Sequence, residues 1–256
     1  MAQFDRPTIS ARAGSAAAID EGLRSYMLRV YNYMGLGLVV TGLVAYFAAA
    51  AAIAPDAASA VAQMSNGVYL TNWGVMLFNS PLAWVIMLSP LAFVLVLSFG
   101  INKLSTGAAQ LLFWAFAAVM GLSLSSIFLV YTGASIAKVF FITAATFGAM
   151  SLYGYTTKRD LTNMGTFLFM GLIGIIIASL VNIFLASSML DFAISVVGVL
   201  VFVGLTAYDT QKIKESYSES YGADVLAKNA IMGALSLYLD FINLFLMLLR
   251  LFGNRD

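Results

Sequence analysis

Seven stretches of about twenty predominantly apolar residues decide what this chain can fold into, because that is the length an α-helix needs to cross the hydrocarbon core of a bilayer. They run Tyr31–Ala54, Leu82–Phe99, Ala108–Tyr131, Ala134–Tyr155, Met164–Ala186, Phe192–Tyr208 and Asn229–Leu251. In lipid every backbone polar group must be satisfied within the structure, so such stretches become helices. The expectation is an all-α polytopic membrane protein with seven transmembrane helices. The fifth and sixth stretches, separated only by Ser187–Asp191, must form a tight antiparallel hairpin. Three regions follow. Residues 1–30 form a cytosolic amino-terminal tail, where Ile19, Leu23, Met27 and Val30 share one face and suggest an interfacial helix. Residues 31–252 form the transmembrane domain, and residues 253–256 a short tail. With 61% hydrophobic and only 10% charged residues, a soluble globular fold is excluded.

Orientation follows from the basic residues, which accumulate on the cytosolic side. With the amino terminus inside, that side holds Arg6, Arg12, Arg24, Arg29, Lys103, Lys158, Arg159, Lys212, Lys214 and Lys228. The other side holds Lys138, Arg250 and Arg255. A full seventh span leaves Arg250 and Arg255 outside, against the bias, whereas a re-entrant segment would return them to the cytosol. The 23 residues of Asn229–Leu251 favour the full span. Gly, Ala and Ser scattered through the stretches let helices approach closely, as in a compact bundle.

The chain contains no Cys and no His. Thiolate chemistry and Cys-ligated metals are thereby excluded. A response to pH between about 5 and 8 must then come from carboxylates in unusual surroundings. A net charge of +1 without a large basic cluster gives no argument for nucleic acid.

Ionisable groups inside the membrane are functional candidates. Asp240 lies twelve residues past Lys228, about 18 Å along a helix, so it should sit near the bilayer midplane. An ionised Asp there costs about 2.5–3.5 kcal/mol on insertion scales. Steps of three and four from Asp240 collect Asn229, Gly233, Ser236, Asn243, Met247 and Arg250, a polar face turned away from lipid. On the sixth stretch a matching stripe runs Asp191, Ser195, Gly198, Phe202, Thr206, Asp209. Asp191 reads as a helix-starting cap, and Lys138 as a snorkelling residue. Asp209 either pairs with Lys212 or Lys214 at the cytosolic surface, or meets Asp240. Two adjacent carboxylates cannot both ionise cheaply, so such a pair shares one proton and titrates as a unit. Protonated, it closes a path; ionised, it repels itself and attracts a hard cation. Asp209 and Asp240 with Ser236, Asn243 and Thr206 fall short of the oxygens a tight calcium site uses, which favours weak binding and passage. One difficulty is geometric: Asp209 reads as near the inner surface and Asp240 as deep. They meet only if the sixth helix sits lower or tilts, or if the seventh begins well outside the membrane.

Gly198–Glu215, GVLVFVGLTAYDTQKIKE, followed by Ala234–Gly253, ALSLYLDFINLFLMLLRLFG, resembles the paired signature of the transmembrane Bax inhibitor motif family. The resemblance implies six helices surrounding a central seventh, and a pH-sensitive calcium leak governed by two Asp residues, which fall on Asp209 and Asp240. It also places at Lys103 a latch that some bacterial members make with Arg, although Lys lacks the guanidinium fork. The second stretch carries no acidic residue that would add a further carboxylate.

The leading expectation is therefore a calcium leak channel of a bacterial cytoplasmic membrane, gated by protons at the Asp209/Asp240 pair, with no cofactor and no enzymatic activity. Its partners are the lipid bilayer, calcium and protons. One alternative is a regulator that binds a membrane-protein quality-control protease through Thr210–Lys228 and the amino-terminal tail. A less favoured one is an intramembrane aspartyl protease, which Tyr208–Asp209 fits. Asp240 does not, since it has no flanking glycine and no Pro-Ala-Leu follows.

Overall fold

The computed structural model describes residues 8–64 and 67–254, with side chains from Glu21 onward. Arg6, Asn66 and Arg255, the side chains of Arg12 and Ile19, and the end of the carboxyl-terminal tail lie outside the described residues. The chain forms α1 (Thr8–Ala52), a two-stranded antiparallel hairpin of β1 (Ala62–Gln63) and β2 (Tyr69–Leu70), a short α2 (Asn72–Phe78), then α3 (Pro81–Gly100) and α4 (Thr106–Leu124). A 3-10 turn at Ser125–Leu129 leads to α5 (Gly133–Thr156), α6 (Thr162–Leu185), α7 (Ser188–Glu215) and α8 (Ala223–Phe252). Seven of these helices, all but α2, are long and apolar enough to cross a membrane, as the seven stretches require.

Local sequence accounts for where they start. Ser80, Ser105, Thr132 and Ser187 each accept a backbone N–H of the helix that follows, satisfying a donor that would otherwise be orphaned in or near lipid. Ser187, and not Asp191, caps α7; Asp191 sits in the first turn and pairs with Arg250 across a 3.5 Å gap. Inside α3, Pro90 cannot donate to the carbonyl of Ile86. The hydroxyls of Ser89 and Ser123 donate to it instead, at 2.9 and 2.7 Å, and the second of these ties α3 to α4. The long connection after α1 is not bare loop. β2 turns back along the end of α1, where Thr71 N–H donates to Ala52 O.

α1 runs without interruption from Thr8, so Leu23, Met27 and Val30 belong to the same helix that crosses the membrane. α7 continues past Tyr208 to Glu215, which places Asp209 within a helix. Close packing occurs where small residues allow it. A Cβ on Gly154 of α5 would overlap the Ala207 carbonyl of α7, and one on Gly121 of α4 would lie 2.7 Å from the Thr41 carbonyl of α1. The helices differ sharply in how much protein surrounds them. Within the apolar span of α8, 72% of residues are buried, against 11% in α3 and in α6. α8 packs against α7, α1, α5 and α4.

Candidate functional site

The site is built on the α7–α8 seam. Gly198 of α7 meets the Met247 side chain of α8, and Gly233 of α8 meets Ile213 of α7. That antiparallel register brings Asp209 opposite Asp240, and their carboxyls lie within hydrogen-bonding reach of each other. It also answers the depth question. With Gly233 level with Ile213, the first turns of α8 project about 12 Å past the end of α7 at about 1.5 Å per residue, so the helix carrying Asp240 begins well beyond its partner.

Asp240 is buried, and its Oδ2 has no hydrogen-bond donor from any described residue. The group facing it, the Asp209 carboxyl, has no hydrogen to give when ionised. A single proton on the pair would supply the missing donor.

A cleft of about 480 Å³ opens beside the pair. Gly165, Thr166, Phe169 and Leu172 of α6 form one wall, Leu205, Tyr208, Asp209 and Lys212 of α7 a second, and Ser236, Leu239, Asp240 and Asn243 of α8 the third. A smaller cavity of about 270 Å³ shares Asp209, Lys212 and Ser236 with it and reaches Ser216 and Asn229 at the ends of α7 and α8. The wall on α8 has a simple origin. From Met232 through Ser236, Leu239 and Asn243 to Leu246, one line of half-buried residues runs at helical spacing through an otherwise buried helix, and Asp240 stands at its edge.

The rotation of α8 is fixed from the other side. Thr41 donates its hydroxyl hydrogen to Ala117 O at 2.8 Å, so the Tyr238 hydroxyl must donate to Thr41 Oγ1, 2.6 Å away. Two residues on, about 200° round the helix, Asp240 therefore faces α7.

Of the residues singled out in the sequence, Asp209, Asp240, Ser236 and Asn243 come together on this cleft. Asn243 spends one amide hydrogen on Leu239 O, at 2.8 Å. Thr206 is fully buried, donates to Phe202 O and does not line the cleft. Lys103 is exposed in the turn between α3 and α4 and forms no ion pair with a described residue; the cation beside Asp209 is Lys212. Lys212 was legible only as a partner for an exposed Asp209. Lys214 donates to Tyr155 O at 2.8 Å. Among the described residues no group of three or more Asp, Glu, His or Cys gathers at one place, so the pair offers a cation two carboxyls at most.

Comparison with known proteins adds an independent finding. The family Bax1-I, described as inhibitor of apoptosis-promoting Bax1, matches residues 23–256. The chain is 50% identical over 246 residues to the inner membrane protein YbhL of Escherichia coli K12, covering 95% of this chain and 97% of that one. It is 50% identical over 236 residues to a Rickettsia prowazekii protein, covering 92% of each, and 46% identical over 241 residues to a Caulobacter vibrioides protein, covering 93% and 92%.

Proposed function

The chain belongs to the Bax inhibitor-1 family and is a multi-pass protein of the bacterial inner membrane, and from that premise we propose that it is a proton-gated leak path for calcium, with Asp209 and Asp240 as the gate. The observation that carries this reading is the facing pair itself: two carboxyls on adjacent helices, one of them with a buried oxygen that lacks a donor, on the wall of a cleft reaching toward the cytosolic ends of α7 and α8.

The chemistry follows from the proton count. With one shared proton, a carboxyl–carboxylate hydrogen bond holds α7 against α8 and leaves a single negative charge, partly offset by Lys212. With none, two negative charges repel across the seam and draw in a hard cation, for which carboxylate, amide and hydroxyl oxygens are the preferred ligands. Ser236 and Asn243 then supply neutral oxygens along the same line of α8, too few for tight retention, which suits passage. Lys212, on the cytosolic side of the pair, is repelled by an entering cation and must swing aside or exchange its place with it.

Calcium flux into reconstituted vesicles between about pH 5 and 8 tests the reading. Flux is expected to rise with pH, by at most about tenfold per unit for one controlling proton. Asp240→Asn donates an amide hydrogen to Asp209 at every pH, so it should hold the path shut throughout. Asp240→Ala removes that bond and should abolish the pH dependence without closing the path. If Asp209→Asn and Asp240→Asn both leave flux and its pH profile as in the parent, the pair is not the gate.

A further inference from the structure

Away from the carboxyl pair, α1 and α5 stand apart at the ends that the basic residues assign to the cytosol, and the space between them is a groove of about 540 Å³. That volume lies in the range of built small-ligand sites. Its walls are Met27 and Leu28 of α1 with Phe147, Gly148 and Leu152 of α5. At Gly148 nothing lies within 4 Å of where a Cβ would be, so the missing side chain leaves the floor open. Arg24 stands at the mouth and, among the described residues, is the only charged one lining the groove. It is exposed and has neither an ion pair nor a hydrogen bond with a described residue. Glu21, one turn before it, faces a neighbouring depression on α1 and does not line the groove. A second cation lies close, since the Lys214 ammonium is 5.7 Å from the ring of Tyr155, which closes the same end.

Two hydroxyls distinguish this groove from ordinary lipid-facing surface. Thr210 gives its hydrogen to Thr206 O, so Ser151 must donate to Thr210 Oγ1 at 2.9 Å, and Tyr31 in turn to Ser151 Oγ at 2.6 Å. The chain of donors starts in the groove and ends on α7. An apolar trough with an exposed cation at the inner headgroup level, unpaired among the described residues, matches one kind of molecule.

We propose that the α1–α5 groove is a binding site for a single anionic phospholipid of the cytosolic leaflet, with the phosphate on Arg24 and one acyl chain against Leu28, Phe147 and Leu152. The site does not depend on ion passage through the carboxyl pair, and its test reads binding alone.

The full chain, purified in mild detergent, is offered dioleoyl phosphatidylglycerol or dioleoyl phosphatidylcholine, and retained lipid is counted by native mass spectrometry. One phosphatidylglycerol per chain is expected, held about fivefold more strongly than phosphatidylcholine, the effect of one interfacial Arg. Arg24→Ala should lower phosphatidylglycerol to the phosphatidylcholine level. Gly148→Leu, a change that helix propensity favours, should fill the trough and reduce retention of both. Arg29→Ala, about 140° round α1 from Arg24, should retain lipid as the parent does. Equal retention of the two lipids, or parent-level phosphatidylglycerol in both Arg24→Ala and Gly148→Leu, overturns the proposal.

Discussion

Asp240 is held in place by neighbours of opposite kinds: a phenol two residues back anchors its helix to α1, and a carboxyl on α7 faces it. Tyr238→Phe removes only the hydrogen bond to Thr41, whose own hydrogen stays on Ala117 O. A loss of about 0.6 kcal/mol in stability is expected, the average for such bonds between membrane helices, measured by thermal unfolding in detergent. The carboxylates outside the membrane behave differently. Asp160 is held below the ordinary carboxylate range by hydrogen bonds from the Thr162 hydroxyl and backbone N–H, and Asp56 by those from the Ser59 hydroxyl and N–H. A pKa lowered by folding contributes stability that is complete above the unfolded value of about 3.9 and is lost as pH falls through the folded one. Neither group changes charge between about pH 5 and 8, so Asp160→Asn should leave the pH profile of flux unaltered. At this scale the sequence was readable where a polar residue interrupts an apolar run, as Asp209, Asp240, Ser236 and Asn243 do. It misled at Thr206, whose hydroxyl satisfies its own helix, a local bond available to any Ser or Thr. The groove at Arg24 left no periodic trace, because its two walls come from helices more than a hundred residues apart.

Among the elements, the hairpin of α6 and α7 has an instructive corner. Ala186 takes a left-handed conformation, φ 47°, to end α6, and Asn182 Oδ1 accepts the next backbone N–H at 3.0 Å. Left-handed backbone costs a residue with a Cβ roughly 1–2 kcal/mol, so Ala186→Gly should raise stability by about 1 kcal/mol, read as a higher midpoint of thermal unfolding. The opposite sign is expected at Gly154, where α5 and α7 touch through backbone. Gly154→Ala forces the helices apart and should cost about 1–3 kcal/mol. In α3, Ser123→Ala removes the donor that α4 lends to the Ile86 carbonyl; Ser89 still covers that oxygen, so the loss should stay near 0.6 kcal/mol. Helix existence followed directly from length and apolarity. Helix ends did not, since α7 and α8 extend beyond the apolar runs that mark them, their charged turns standing clear of the hydrocarbon. The strand pair and α2 were hidden for another reason: two-residue strands and a seven-residue helix are too short to show a period.

For the molecule as a whole, the most apolar helices are not the ones that protein surrounds. The two most apolar helices, α6 and α3, are the least buried, and α8, less apolar than either, is the most buried. In water the ranking would be reversed; here lipid is the solvent, and the small and polar residues are the ones that face inward. The orientation can be checked because the chain has no Cys. Single cysteines introduced at Ser59 and at Lys158 should react with a membrane-impermeant thiol reagent from opposite sides. Asn254 N–H donates to Ser135 Oγ and Thr132 N–H to Asn254 O, so the far end of α8 lies with the start of α5, on the Ser59 side. Arg250 lies at that same end, paired with Asp191 across 3.5 Å. The burial of α8 also bears on how the molecule is made. Every helix it packs against precedes it in the chain, so the segments that line its slot, Asp209 among them, are all synthesised before it. A polypeptide stopped at Gly222 should be cleared by membrane proteases for want of the piece that fills the slot.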